Sequence, residues 1–300
     1  MKKAHLIFNR KSGKGFGEAL PEKVQAACDE RGIHLSLYSG ATFEQFEKQI
    51  EAAIENAKQD GGVVLAAGGD GTIRGVIQKA ANQNIRLGVI PIGTFNFFAR
   101  NYNIPLEPEE SIRLALSDAE ARPIPIASIN DHVFLVNASM GIYSQAIKDR
   151  EQSTRRFGRN RLVVIISTLF SFFNKQRLLN IDMVVDGVDY KTQTSMVFIG
   201  TNSLQLENLN MKTAECMKRG SIAVILLKPL RYFEILRIIF RGFTKTLENE
   251  ANVESFCATS LIIYTRRQTH DIALDGELFH LASPLKINAK SHSLNLVYTP

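Results

Sequence analysis

The chain has 300 residues, 45% of them hydrophobic and 22% charged, with a formal net charge of +6, an ordinary globular composition with apolar material for one large or two medium domains. No apolar run approaches the roughly 20 residues of a membrane-spanning helix; the longest candidates are residues 162–173 and 235–240. The apolar-leaning stretch 4–8 behind Lys2-Lys3 is too short for a secretory signal, so a cytoplasmic location is expected.

In chain order, residues 4–8, 33–38, 63–67 and 87–90 read as strands. Between them, 17–30, 43–58 and 72–81 carry apolar residues at helical spacing. Thr42 suits the N-cap of the second helix, because its hydroxyl can accept a free backbone N–H. Strands alternating with helices predict a parallel sheet covered by helices. From about Pro123 the pattern changes to short alternating strands, at 133–136, 181–185, 195–200, 222–227, 255–264, 271–274 and 294–297. Asp186-Gly187 and Asp275-Gly276 are dipeptides suited to tight turns, since glycine accepts positive φ without steric cost. The predicted fold class is α/β, an N-terminal parallel-sheet domain over 1–124 followed by a β-rich domain over 125–291.

Cys28, Cys216 and Cys257 stand far apart with no paired spacing, which predicts buried free thiols rather than a disulfide framework or a zinc knuckle. The six histidines show no paired ligand spacing either, so no metal-ligating residue is assigned. A Gly-x-Ser-x-Gly elbow is absent, which argues against a hydrolase of that class. The positive charge suits an anionic partner, but nucleic acid is disfavoured: the basic residues form no recognised motif and tryptophan is absent.

The strongest chemical signal is Ala66-Ala67-Gly68-Gly69-Asp70-Gly71-Thr72, where a buried strand ends in glycines and a helix begins. Backbone without side chains can approach a phosphate there, and the helix start offers unpaired N–H groups and the positive end of its dipole. Asp70, in the middle, can meet Mg2+ or a hydroxyl. The segment lacks the Gly-Lys-Ser/Thr of a Walker A loop and the spacing of a dinucleotide fingerprint. Two more turns follow strands: the polar, glycine-rich stretch from Asn9 to residue 15, and Pro91-Ile92-Gly93-Thr94-Phe95-Asn96. All three fall at carboxyl ends of predicted parallel strands, the edge where open α/β sheets bind ligands.

These segments, with Asn137-Ala-Ser-Met-Gly141 and Asp275-Gly-Glu277, resemble the diacylglycerol kinase catalytic-domain family in order and over nearly the whole chain. The glycine-aspartate turn also occurs in NAD kinases and phosphofructokinases; Gly93-Thr-x-Asn96 and the late Asp-Gly-Glu narrow the resemblance to lipid kinases, and the Thr-Pro-x-Gly-Ser segment of NAD kinases is missing. The resemblance implies an α/β nucleotide domain and a β-sandwich, with the C-terminal strand, 292–300, returning to the first domain. It implies that Asn9, Thr42, Gly68, Gly69, Asp70, Gly71, Thr72 and Thr94 surround ATP, with Gly93 and Asn96 in the adjoining turn. Glu277 would be the general base that takes a proton from a lipid hydroxyl, with Mg2+ arriving with the ATP.

The sequence also departs from the family. Lys218-Arg219-Gly220 stands where relatives carry Asp-Gly at a structural Mg2+, and Pro125 replaces a second acidic position, which implies loss of that accessory site. Phe97 follows Asn96 where relatives often carry Asp or His. A rival expectation is therefore a nucleotide-binding protein of the same fold without turnover. Arg155, Arg156, Arg159 and Arg161 ahead of the apolar stretch 162–173, and the mixed basic and apolar stretch 228–245, are candidates either for peripheral contact with the inner membrane surface or for ordinary packed helices.

Overall fold

The computed structural model describes residues 2–9, 16–145, 147–148, 178–208, 211–229, 234, 237, 241 and 250–299. The basic cluster 155–161, the stretch 162–173 and most of 228–245 lie outside the described residues. The chain divides into two compact units, residues 1–126 with 291–300, and residues 127–290.

The first unit is a parallel sheet covered by helices. Its strands β1 (Lys3–Phe8), β2 (His34–Tyr38), β3 (Val63–Gly68) and β4 (Arg86–Pro91) run in the order β2-β1-β3-β4, and β4 pairs in parallel with the end of β16 (Leu285–Val297). β3 is buried at every position, as expected of a parallel strand covered on both faces. The edge strand β2 is covered only in part, with Leu35 and Tyr38 buried and His34 and Leu37 exposed.

Helix α1 (Phe16–Asp29) packs Leu20, Val24 and Cys28 on one face, beside Ile112 and Ala115 of α5 (Pro108–Ala115). Helices α2 (Phe43–Asp60) and α3 (Asp70–Ala80) contact each other and the strands β1 and β3. Each bears an apolar stripe, Ile50, Ala53, Ile54 and Ala57 on α2 and Ile73, Val76, Ile77 and Ala80 on α3. Burying one such isoleucine stabilises by about 1.5–3 kcal/mol. Thr42 caps α2 as its sequence suggests, accepting the N–H of Gln45 at 3.2 Å. The short α4 (Phe97–Asn101) and α5 have no counterpart in the sequence expectations.

The second unit is an antiparallel sandwich. One layer has the order β12-β11-β10-β7-β14-β15, formed by β7 (Asn137–Gly141), β10 (Met196–Gly200), β11 (Ile222–Leu227), β12 (Val253–Ala258), β14 (Thr269–Leu274) and β15 (Glu277–Ala282). The facing strands are β8 (Leu179–Val185), β9 (Val188–Thr194), β13 (Ser260–Thr265) and the start of β16, with β6 (His132–Phe134) pairing the end of β5 (Ala121–Ile129). Ile181, Met183, Leu261 and Leu285 from these meet Val197, Val224, Ile272 and Leu274 of the six-stranded layer in one core. Helix α6 (Ser203–Asn208) and a 3-10 turn (Lys212–Arg219) complete the described elements.

Both Asp-Gly turns form as expected. Asp186 and Gly187 adopt φ of 47° and 87°, and Asp275 and Gly276 adopt 49° and 87°, the double positive-φ geometry of a two-residue hairpin. Three expectations change. The run 255–264 is not one strand: it breaks at Thr259, whose N–H and hydroxyl donate to the Asp186 carboxylate at 3.0 and 2.6 Å, and the chain crosses there from one layer to the other. The final strand is far longer than 294–297, because its first half belongs to the sandwich.

The third change concerns the cysteines. Cys28 is buried and free, but Cys216 and Cys257 form a disulfide across a Cα–Cα distance of 5.4 Å. The 3-10 turn packs on β11, whose Ala223 pairs with Cys257 of β12, so the fold brings together thiols 41 positions apart that sequence spacing cannot relate.

Candidate functional site

β3 ends at Gly68, and α3 begins two residues later with Gly69 as its N-cap. A glycine cap has no side chain to satisfy the first N–H groups of the helix. β4, beside β3, ends in the Gly93 turn, and the two turns are joined by the Ile92 N–H donating to the Gly68 carbonyl at 3.0 Å. Main chain touches main chain here: a Cβ on Gly93 would lie 2.5 Å from the Gly69 Cα, and a Cβ on Gly68 would collide with the Thr72 side chain. Glycine is thus required by close approach at 68 and 93, while a Cβ on Gly69 would meet the Gly93 Cα at 3.3 Å.

Two polar side chains brace this pair of turns. Asn96, in the left-handed region at φ 53°, accepts the Gly93 N–H at 3.0 Å and donates its amide to the Gly93 carbonyl at 3.1 Å. Asp70 accepts the Phe98 N–H at 3.1 Å, tying the start of α3 to α4. Asparagine is among the few residues that tolerate this conformation. The sequence singled out Asn96 and Asp70 for ligand chemistry; their first observed role is to hold the cradle. Gly71 and Thr72 are half-buried in the first turn of α3, and Thr94 is exposed on the Gly93 turn. Phe97 stacks on the exposed Phe95 with ring centroids 5.4 Å apart.

Asn9 follows β1, whose Phe8 pairs with Ala67 of β3, so it lies on the same carboxyl edge. The order β2-β1-β3-β4 reverses direction between β1 and β3, and such a switch point opens a crevice at the carboxyl ends. The rest of that polar turn, 10–15, lies outside the described residues. Thr42 is exposed on the outer side of this edge, its hydroxyl engaged in capping α2.

Glu277 belongs to the second unit, where it is exposed and forms the closing pair of the β14–β15 hairpin with Leu274. Sequence reasoning missed how that hairpin is fixed. The Asp275 carboxylate accepts backbone N–H groups from Leu135, Val136 and Asn137 at 2.9, 2.8 and 3.0 Å. The donors lie about 140 positions away, so Asp275 reads locally only as a turn residue. Arg219 ends the 3-10 turn 3.9 Å from Glu215, and Pro125 lies within β5.

The cradle of side-chain-free turns, on a parallel sheet with a switch point, is the arrangement that comparison with known proteins decides. A model of the "Diacylglycerol kinase catalytic domain" matches residues 3–129. The chain is 36% identical over 150 residues to a "Probable lipid kinase YegS-like" protein of Serratia proteamaculans (strain 568), covering 48% of this chain and 46% of that one. It is 34% identical over 156 residues to a "Diacylglycerol kinase" of Bacillus subtilis (strain 168), covering 50% and 49%. The matches thus span about half the length of these curated relatives. The whole fold is similar to a crystal structure of a diacylglycerol kinase from Bacillus anthracis str. Sterne, with TM-score 0.72 at 20% identity over 100% of this chain and 98% of that one. Both units of this chain therefore have counterparts in a diacylglycerol kinase fold. Among the described residues, no helix is long and apolar enough to cross a membrane.

Proposed function

We propose that this protein is an ATP-dependent lipid kinase that transfers the γ-phosphoryl group to a lipid hydroxyl. The observation that carries the reading is the Gly69–Gly93 main-chain contact at the carboxyl ends of β3 and β4, within the family-matched segment. Phosphoryl transfer asks mainly for positioning and charge neutralisation. Glycine turns at the head of α3 suit the first task, because nothing projects between main-chain N–H groups and a phosphate. The residues present fit a nucleotide in this respect.

Bound ATP would supply the phosphoryl group, along with Mg2+ held largely by its phosphates. Asp70 keeps the cradle in shape through Phe98 and adds a carboxylate beside it, and Asn96 locks the Gly93 turn. Asn9, Thr42 and Thr94 are assigned to the nucleotide's surroundings, and Glu277 to the proton of the attacking hydroxyl. A carboxylate within hydrogen-bond reach of that oxygen serves as general base. Asp275 acts through Glu277 by fixing the turn that presents it. The lipid acceptor places the enzyme at a membrane surface, in the cytoplasm.

The test is an assay of labelled ATP with diacylglycerol, sphingosine, ceramide and phosphatidylglycerol. Labelled lipid from the wild type that disappears in Glu277→Ala supports the proposal. Nucleotide binding without labelled lipid would favour the silent alternative, for which Arg219 and Pro125 are the motivating residues.

A further inference from the structure

Within the second unit, a cavity of about 380 Å³ is lined by Lys148, Arg267, Thr269, Asp271 and His280, with Ile142 and Leu179 on its apolar side. Asp271 and His280 pair across the β14–β15 hairpin and share a face. Ile272 and Leu274, which alternate with Asp271 along β14, belong to the sandwich core, so Asp271 and His280 face outward. Glu277 pairs with Leu274 and lies on the other face. The cavity is thus a separate feature from the assigned base.

Its charge is unbalanced. The Asp271 carboxylate already accepts from Lys148 Nζ at 2.7 Å and pairs with His280. Burial would raise the Asp271 carboxyl, but Lys148 and then His280 more than offset that and hold it below its ordinary value, so it is ionised at neutral pH. Arg267 forms no ion pair among the described residues. Burial, followed by the charge of Arg267, holds His270 below its ordinary value, and that ring is neutral at neutral pH. Two permanent cations against one carboxylate leave the cavity positive, and a concave positive site concentrates anions.

We propose that this cavity binds a phosphate-bearing anion, held by Arg267 with Lys148 beside it. An anionic phospholipid headgroup and a free phosphate ester share that chemistry. Arginine matches phosphate through paired N–H donors. Leu178, exposed and also lining the cavity, with the half-buried Leu179 beside it, offers an apolar surface for the glycerol or acyl root of an amphiphile.

The experiment titrates the full chain with inorganic phosphate and with glycerol 3-phosphate, and sediments it with vesicles of phosphatidylcholine alone or mixed with phosphatidylglycerol. Saturating ADP is present throughout to occupy the glycine turns. Binding is read without turnover, so the outcome is independent of the kinase reading. The wild type is expected to bind at least one anionic probe over phosphatidylcholine, and Arg267→Ala to weaken it by about tenfold, the scale of one charge-assisted hydrogen bond. Arg267→Lys, which keeps the charge and loses the fork, should fall between. Binding of soluble phosphates alone assigns a free phosphate ester, and binding of anionic vesicles alone assigns a headgroup. Arg267 is exposed, so a thermal melt of Arg267→Ala should match the wild type. Wild-type protein that ignores every anionic probe, or Arg267→Ala that binds as the wild type does, overturns the proposal.

Discussion

The two units build their candidate sites from different material. In the first, the cradle is main chain: Gly68 and Gly93 leave no room for a side chain, and Asn96 and Asp70 brace the turns. In the second, the assigned function rests on one exposed carboxylate, Glu277, held in place by hydrogen bonds that Asp275 makes to β7 and the residues before it. A main-chain site demands glycine at fixed positions, whereas a side-chain site needs only one correct residue on a hairpin that many sequences can form. The family match over 3–129 falls almost wholly on the first kind.

If the first site is main chain, it should break on the addition of a single methyl group. Gly93→Ala would place its Cβ 2.5 Å from the Gly69 Cα, so the turn must shift, and ATP binding should weaken by about tenfold or more at a stability cost of about 1–3 kcal/mol. Calorimetric titration and urea unfolding read the two effects separately; unchanged ATP affinity would mean that the turn does not hold the nucleotide. The second unit should be sensitive to a covalent tie instead. Replacing Cys216 and Cys257 with serine opens a loop spanning 41 positions and should lower stability in denaturant by about 2–4 kcal/mol. An unfolding midpoint equal to that of the wild type would contradict this.

Asp70 sharpens the comparison, because it serves structure and charge together. Asp70→Asn keeps an acceptor for the Phe98 N–H and should hold stability to within about 0.5 kcal/mol, whereas Asp70→Ala should cost about 1 kcal/mol. Turnover should fall in both; if Asp70→Asn remains fully active, the carboxylate only braces the turns. The smallest effect concerns Asp186. Burial would raise its carboxyl, but the Thr259 hydroxyl and the N–H groups of Ser260 and Thr259 outweigh that and hold it below its ordinary 3.8. A depressed folded pKa gives stability that is present above the unfolded value and lost as pH falls through the folded one. The stability gap between wild type and Asp186→Ala should therefore be widest above about pH 4 and narrow on further acidification, as followed by denaturant unfolding. A gap that widens instead would reverse the assignment.

Much of the first unit was legible because its signals are local. Alternating apolar strands and amphipathic helices define the βα pattern, Thr42 announces the start of α2, and the glycines after β3 mark the strand-to-helix junction. The structural duty of Asp70 was not legible, since it depends on the approach of two segments 28 positions apart, whereas Asn96 braces its own turn through Gly93, three positions away. In the second unit the turn dipeptides were clear, but their aspartates do more than turn. Asp186 gathers two backbone N–H groups and Asp275 three, from segments distant in sequence, and it is this that breaks the run at Thr259 and fixes the hairpin of Glu277. The Cys216–Cys257 bond was hidden for the same reason: its partners are neighbours only once β11 and β12 have paired.

The most direct measurement of the central claim compares wild type with Glu277→Gln in two readouts, ATP binding by calorimetry and transfer of labelled γ-phosphate into an extracted lipid fraction. The account predicts equal ATP affinity and a loss of lipid labelling of about a hundredfold or more, the contribution of a positioned general base. Lipid labelling by Glu277→Gln at the wild-type rate, or wild-type protein that binds ATP and labels no lipid, would contradict it.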